Sequence, residues 1–254
     1  MEAAILATES LTKDFGGYVA INNVNLSFAP RKTVALIGPN GAGKTTLFNL
    51  ICGFLTPSRG RVLFMGNDIR QLRPHEVARH GLVRSFQITS VFPHLTVSEN
   101  LRLALMRNDR MEHKFWRSGR SLQIYDARIQ ELLDHVSIPA NVLDEHAGAL
   151  PYGMKRSLEL ATTLAMDPKV MLLDEPTAGM TAGDVERITA LIRKVSFGRT
   201  VVLIEHNLRV VADLADTIVV LLRGEVLTSG SYDQVRVDSR VVEAYLGTGA
   251  ANHA

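Results

Sequence analysis

The sequence predicts an α/β fold, a largely parallel β-sheet layered with helices and interrupted by a helical lobe. Three observations carry this. Short apolar runs alternate with segments whose apolar residues recur at helical spacing. A glycine-rich loop, GPNGAGKTT (Gly38–Thr46), stands between one such run and one such helix. Further on, the apolar run in KVMLLDEP ends in two adjacent acids, Asp174 and Glu175.

The elements follow in order. KTVALIG (Lys32–Gly38) reads as a buried strand and GKTTLFNLICG as the helix after it, with Gly53 as its C-cap. GRVLFMGNDI reads as a hairpin turning at Gly66-Asn67. RPHEVARHG is a short helix, with Pro74 in its first turn and Gly81 past its end. LVRSFQ is a further short strand. From about Thr96 to Glu145 helical spacing dominates, in VSENLRLALM and IYDARIQELLDHV, around a polar, basic stretch. Alternation then returns: strand KVMLLD, helix GDVERITALIRKV, strand TVVLIEH, helix LRVVADLA and the hairpin TIVVLLRGEVLTSG. The final GTGAANHA reads as a loose tail.

Bulk properties narrow the partners. The 254 residues suit one large domain, or a core with an inserted lobe. The net charge of +2 is mild, so nothing demands nucleic acid. The one cysteine, Cys52, excludes an internal disulfide and a cysteine metal cluster, and fits a reducing, cytoplasmic setting. The opening MEAAILATES lacks the basic and apolar regions of a signal peptide. No apolar run approaches the ~18 residues needed to cross a bilayer, so any work at a membrane needs other subunits to span it.

Gly38-Pro39-Asn40-Gly41-Ala42-Gly43-Lys44-Thr45 fits G-x-x-x-x-G-K-[ST]. The glycines let backbone N–H groups wrap phosphate oxygens without Cβ clashes, and the helix N-terminus adds its positive dipole end. In this pattern Lys44 reaches the β- and γ-phosphates, Thr45 offers its hydroxyl to Mg²⁺, and Thr46 reaches the α-phosphate. Asp174 is placed to hold Mg²⁺ through water. Glu175 either polarises an attacking water or is a solvated carboxylate ending the strand. A switch GTPase would need an Asn-Lys-x-Asp run, and none is present. A small-molecule kinase would need a pocket for its acceptor hydroxyl.

This ordered set of motifs, spread over nearly the whole chain, resembles the ATP-binding subunits of ABC transporters. The resemblance implies a P-loop NTPase (RecA-like) core with an antiparallel β subdomain and an inserted α-helical subdomain. It implies one ATPase domain over 1–246, its core about 1–88 and 156–246 and its helical lobe about 89–155, with a tail at 247–254. Phe15 matches the aromatic that stacks on adenine, with a core position the alternative. Gln87 in RSFQ matches the glutamine that touches Mg²⁺ or the attacking water. His206 matches the histidine that contacts the γ-phosphate, and with Glu175 and Gln87 completes the catalytic set. LPYGMKRSLELA stands where the family writes its Leu-Ser-Gly-Gly-Gln signature, which caps ATP bound to the opposite subunit. Pro151, Tyr152, Gly153 and Met154 would make that contact. Leu150 and Gly153 fit, whereas Pro151 replaces the serine, Tyr152 a glycine and Met154 the glutamine. Proline has neither hydroxyl nor N–H, so one hydrogen bond to phosphate is lost, about 1.5–3 kcal/mol. The Gly153 and Met154 N–H groups are expected to remain available. Thr181 takes the place of the family's usual D-loop aspartate.

FGGYVAINNVNLSF, GLVRSFQ, FPHLTVSENL and EAYLG resemble one branch, the ATPases of branched-chain amino acid importers. That resemblance implies ATP hydrolysis powering uptake through two transmembrane permease subunits. A second, similar ATPase would complete a heterodimer, with a homodimer the alternative, and a periplasmic solute-binding protein would act indirectly. The expected place is the cytoplasmic face of the inner membrane. Importers of urea or amides, an exporter, and a soluble ATP-gated regulatory module stay open. The basic stretch around Phe115 and Trp116 fits anionic headgroups, a partner, or a solvated loop. ITSVFPHLTV, with Phe92, Pro93 and Leu95, fits either docking of a coupling helix from a membrane subunit or packing within the lobe.

Overall fold

Two sheets organise the chain in a computed structural model that describes residues 3–85, 91–108 and 123–249. The first is antiparallel and is built from β1 (Leu6–Phe15), β2 (Tyr18–Phe28), β4 (Arg59–Phe64) and β5 (Asn67–Asp68), in the order β2-β1-β4-β5. The second contains β3 (Thr33–Ile37), β6 (Leu82–Ser85), β7 (Val170–Asp174), β8 (Thr200–Ile204), β9 (Thr217–Leu222) and β10 (Glu225–Gly230), in the order β10-β9-β3-β8-β7-β6. It is parallel from β9 to β6, and β10 returns antiparallel beside β9.

Every residue of β3, β7 and β8 is buried. Such continuous apolar runs belong to parallel strands covered on both faces. Successive side chains alternate faces, and the core divides accordingly. Val34, Leu36, Leu172 and Ile204 pack with Leu47 and Phe48 of α1 (Lys44–Ile51). Ala35, Ile37, Met171 and Leu173 join a second cluster with Leu101 of α3 (Val97–Asn108), Leu133 of α4 (Asp126–Val136) and Leu158 of α5 (Tyr152–Ala165). The helical lobe therefore shares a core with the sheet, and α5 runs unbroken across the expected border at residue 155.

Most expected elements stand in place, including α2 (Pro74–Arg79), α6 (Ala182–Ser196) and α7 (Leu208–Leu214). Two expectations are corrected. The β4–β5 hairpin turns at Met65-Gly66, because Asn67 already pairs with Phe64. Both turn residues have positive φ, 52° and 80°, as a two-residue turn matching the twist of the strands requires, and glycine takes the second place. The tail expected from residue 247 is instead helix as far as Gly249, the end of α9 (Ser239–Gly249), which follows α8 (Tyr232–Arg236). Among the described residues, no helix is long and apolar enough to cross a membrane.

Candidate active site

β3 delivers the glycine-rich loop to the N-terminus of α1. Gly38, Gly41 and Gly43 have φ of 150°, 78° and 101°. At Gly38 a Cβ would stand 2.2 Å from the Leu221 carbonyl oxygen of β9, so the loop can leave the sheet only past a residue with no side chain. Gly38→Ala is expected to cost about 3 kcal/mol, from overpacking and backbone strain together. That would lower the melting temperature of the nucleotide-free protein by roughly 6–12 °C, and a thermal unfolding curve checks it.

The loop borders a cavity of about 240 Å³. Asn40, Gly41, Ala42, Gly43, Lys44, Thr45 and Thr46 line one side, and Glu175 and His206 the other. The volume falls below the ~300–1,000 Å³ of sites that engulf a drug-sized ligand, and suits a phosphate tail. Lys44 is buried, and its ammonium donates to the carbonyls of Gly38 (2.7 Å) and Pro39 (3.0 Å). Burial pulls its pKa below the ordinary lysine value, while the charges of Glu175 and Asp174 oppose the fall.

Across the cavity, β7 and β8 end side by side. Glu175 follows β7 with a left-handed φ of 47°, which turns its carboxylate towards His206, and its N–H donates to the Ile204 carbonyl (2.9 Å). Glu175 Oε1 lies 2.9 Å from His206 Nε2. Asp174 sits deeper, 2% exposed, and pairs with the guanidinium of Arg84 on β6. Arg84 also donates to Asn49 Oδ1 of α1 (2.6 Å) and lies 5.7 Å from the Phe48 ring centroid.

Other expected residues fall elsewhere. Phe15 ends β1, about half exposed, with the Lys13 ammonium 5.0 Å from its ring centroid. Its cross-strand partner Tyr18 is the aromatic that lines the cavity. Gln87 and the Phe115-Trp116 stretch lie outside the described residues. Pro151, Tyr152, Gly153 and Met154 do not meet the cavity of their own chain. They line a separate groove of about 650 Å³ with Asp184, Arg187 and Lys194. One of the two backbone groups expected to face phosphate is already engaged, since the Met154 N–H donates to the Pro151 carbonyl (3.0 Å) in the first turn of α5. Thr181 caps α6, donating to Asp184 Oδ2 (2.7 Å) and accepting from the Asp184 N–H (3.3 Å). Thr and Asp are both good N-caps, so the exchange leaves that helix end intact.

Tyr18, Arg84 and Glu205 escaped the sequence reading. Glu205 is buried and accepts from the Thr177 N–H (3.0 Å) and hydroxyl, the His206 N–H (3.0 Å) and the Asn207 N–H (3.1 Å). It stitches the turn after Glu175 to the segment bearing His206. Its signal was an acid beside the singled-out histidine; a carboxylate ending an apolar strand must find donors or solvent.

A helix N-terminus and a buried lysine facing a carboxylate and an imidazole across a phosphate-sized space make this a P-loop ATPase. The sequence model described as "ABC transporter" matches residues 21–178, and one described as "Branched-chain amino acid ATP-binding cassette transporter" matches residues 225–251. The high-affinity branched-chain amino acid transport ATP-binding protein BraF of Pseudomonas aeruginosa is 38% identical over 97% of this chain and 99% of its own length. The like-named protein LivG of Escherichia coli is 35% identical with the same coverage. The ADP conformation of an ATP-binding cassette of an ABC transporter superposes with a TM-score of 0.81 at 30% identity, covering 96% of this chain and 99% of that one. The chain belongs to the ABC transporter family, as an ATP-binding protein.

Proposed function

We propose that this chain hydrolyses ATP to drive uptake of branched-chain or related amino acids through separate membrane subunits. The observation that carries the hydrolytic part is Glu175, turned by its left-handed backbone onto His206 at the edge of the phosphate cavity. In this reading the loop amides and Lys44 hold the β- and γ-phosphates. Glu175 takes a proton from a water as its oxygen bonds to the γ-phosphorus and the bond to the ADP oxygen breaks. His206 orients the carboxylate and senses the γ-phosphate. Thr45 lines the cavity and offers a hard oxygen donor that suits Mg²⁺, while Asp174, buried and paired with Arg84, would act on the ion through water, with Gln87 a further candidate. Mg²⁺, when bound, neutralises charge between the β- and γ-phosphates.

The cargo rests on the match at residues 225–251 and on the names of the relatives. The partners proposed are two permease subunits and a second, similar ATPase whose ATP would meet Pro151–Met154. A surface suited to a permease lies at the start of the helical lobe. There Asn100, itself buried, accepts from the Phe92 N–H (2.7 Å) and donates to the carbonyls of Phe92 (3.1 Å) and Thr96 (2.9 Å). The turn wrapped around it leaves Phe92 59% exposed. Isolation from the native membrane in mild detergent is expected to recover two multi-span subunits and a second ATPase. Deletion of the gene is expected to reduce uptake of leucine, isoleucine or valine. Recovery of the chain alone, in repeated mild preparations, would favour a regulatory module. Permeases recovered with unchanged amino acid uptake would mean another cargo.

A further inference from the structure

Tyr152 stands where the family signature carries a glycine; its side chain is about half exposed, and its hydroxyl bonds back to its own chain. The hydroxyl donates to the Ala178 carbonyl (3.1 Å) and accepts from Arg156 Nη2 (3.2 Å). The Arg156 guanidinium lies 5.6 Å from the Tyr152 ring centroid and is held by Glu159 at 2.8 Å, with both charged side chains under a tenth exposed. The phenol is thus fixed from behind by a buried ion pair and in front by one backbone carbonyl.

That carbonyl belongs to the turn opened by Glu175. The Ala178 N–H donates to the Glu175 carbonyl (3.1 Å), closing the turn that begins at the left-handed residue. Glu205 grips the same turn from the far side through Thr177. Gly153 adds a second contact, pressed so closely on the first turn of α6 that a Cβ there would stand 2.9 Å from Asp184 Oδ1. A displacement of residues 151–153 therefore reaches the backbone that aims the Glu175 carboxylate.

We propose that Tyr152 is a positioning residue that couples the signature segment to Glu175, so that ATP of the second subunit, pressing on Pro151–Gly153, sets the catalytic acid of this one. The inference rests on the reading that this segment meets the partner's nucleotide. A glycine at this position has no hydroxyl for Ala178. Here the phenol supplies a rigid link, which offsets the donor lost at Pro151 by tightening coupling rather than by binding phosphate.

The test is a double-mutant cycle in the full chain with its co-isolated ATPase. Tyr152→Phe removes one hydroxyl and keeps the ring beneath Arg156. It is expected to lower kcat about three- to ten-fold with KM for ATP within about two-fold, the split left when an interaction that matters only to the chemical step is lost. In single-turnover assays Tyr152→Phe/Glu175→Gln is expected to be no slower than Glu175→Gln, because the link acts through that carboxylate. ATP-dependent association of the Glu175→Gln subunits is expected to survive the added Tyr152→Phe. An unchanged kcat would overturn the proposal, as would an additive double variant, which means general damage. Lost association would place the phenol on the partner's nucleotide instead. A Glu175→Gln protein whose ATPase subunits never associate with ATP removes the trans contact itself, and the coupling between sites falls with it.

Discussion

Glu175→Gln is expected to lower kcat for ATP hydrolysis by roughly 10²–10⁴ while leaving nucleotide binding intact. The substitution is isosteric, and the carboxamide oxygen can still accept from His206 Nε2, so the 2.9 Å contact has no reason to break. What the amide cannot do is take a proton from water. The groups proposed to hold the phosphates, Lys44 and the loop amides, lie across the cavity and keep their own contacts. Binding and hydrolysis should therefore separate: ADP affinity by calorimetry stays near that of the parent while phosphate release nearly stops. In the proposed pair of ATPases, hydrolysis would release subunits that ATP holds together, so ATP should also trap associated subunits of the variant, visible as a shift in size-exclusion elution. Hydrolysis at the parental rate would mean that the base lies elsewhere and that Glu175 merely ends β7 in solvent.

The features legible in the sequence are those written in contiguous residues. The loop Gly38–Thr46 carries its chemistry in order, and β3 and α1 flank it as the pattern requires. Glu175 and His206 are far apart in the chain, yet each follows a strand, and the parallel pairing of β7 with β8 carries both to the same edge. What escaped depends on which side chain faces which. Phe15 and Tyr18 flank the same turn of the β1–β2 hairpin as cross-strand partners, and sequence gives no sign that Tyr18 also borders the cavity. Arg84 reads as a polar residue in a weak strand until β6 pairs with β7 and sets it beside Asp174. Sequence puts the β4–β5 turn at Gly66-Asn67 rather than Met65-Gly66 because both pairs suit a turn, and only the pairing of Asn67 with Phe64 selects the latter. Tyr152 stood out as a departure from a motif, but sequence alone could not show that its hydroxyl had turned to Ala178.

Arg84→Met is expected to destabilise the protein by about 3–5 kcal/mol, the cost of breaking a buried ion pair from one side. The side chains of Arg84 and Asp174 are 8% and 1% exposed, so solvent cannot take over the guanidinium's place. Nor does Lys44 take its place, since its ammonium is committed to the Gly38 and Pro39 carbonyls. Arg84→Lys should recover only part of the loss, because one ammonium cannot reproduce the fork that joins Asp174 to Asn49 Oδ1. The melting temperature of Arg84→Met should fall by roughly 6–20 °C. Removing both charges, as in Arg84→Met/Asp174→Leu, should restore much of the stability, since apolar groups of similar volume often replace a buried pair at little cost. That double variant should nevertheless be inactive, having lost the carboxylate proposed for Mg²⁺. A stable but dead double variant would mean that the pair is kept for the site rather than for the fold: Arg84 holds a charge in the core that hydrolysis needs and folding does not. A fall of less than about 1 kcal/mol in Arg84→Met would instead show that Asp174 reaches water without it.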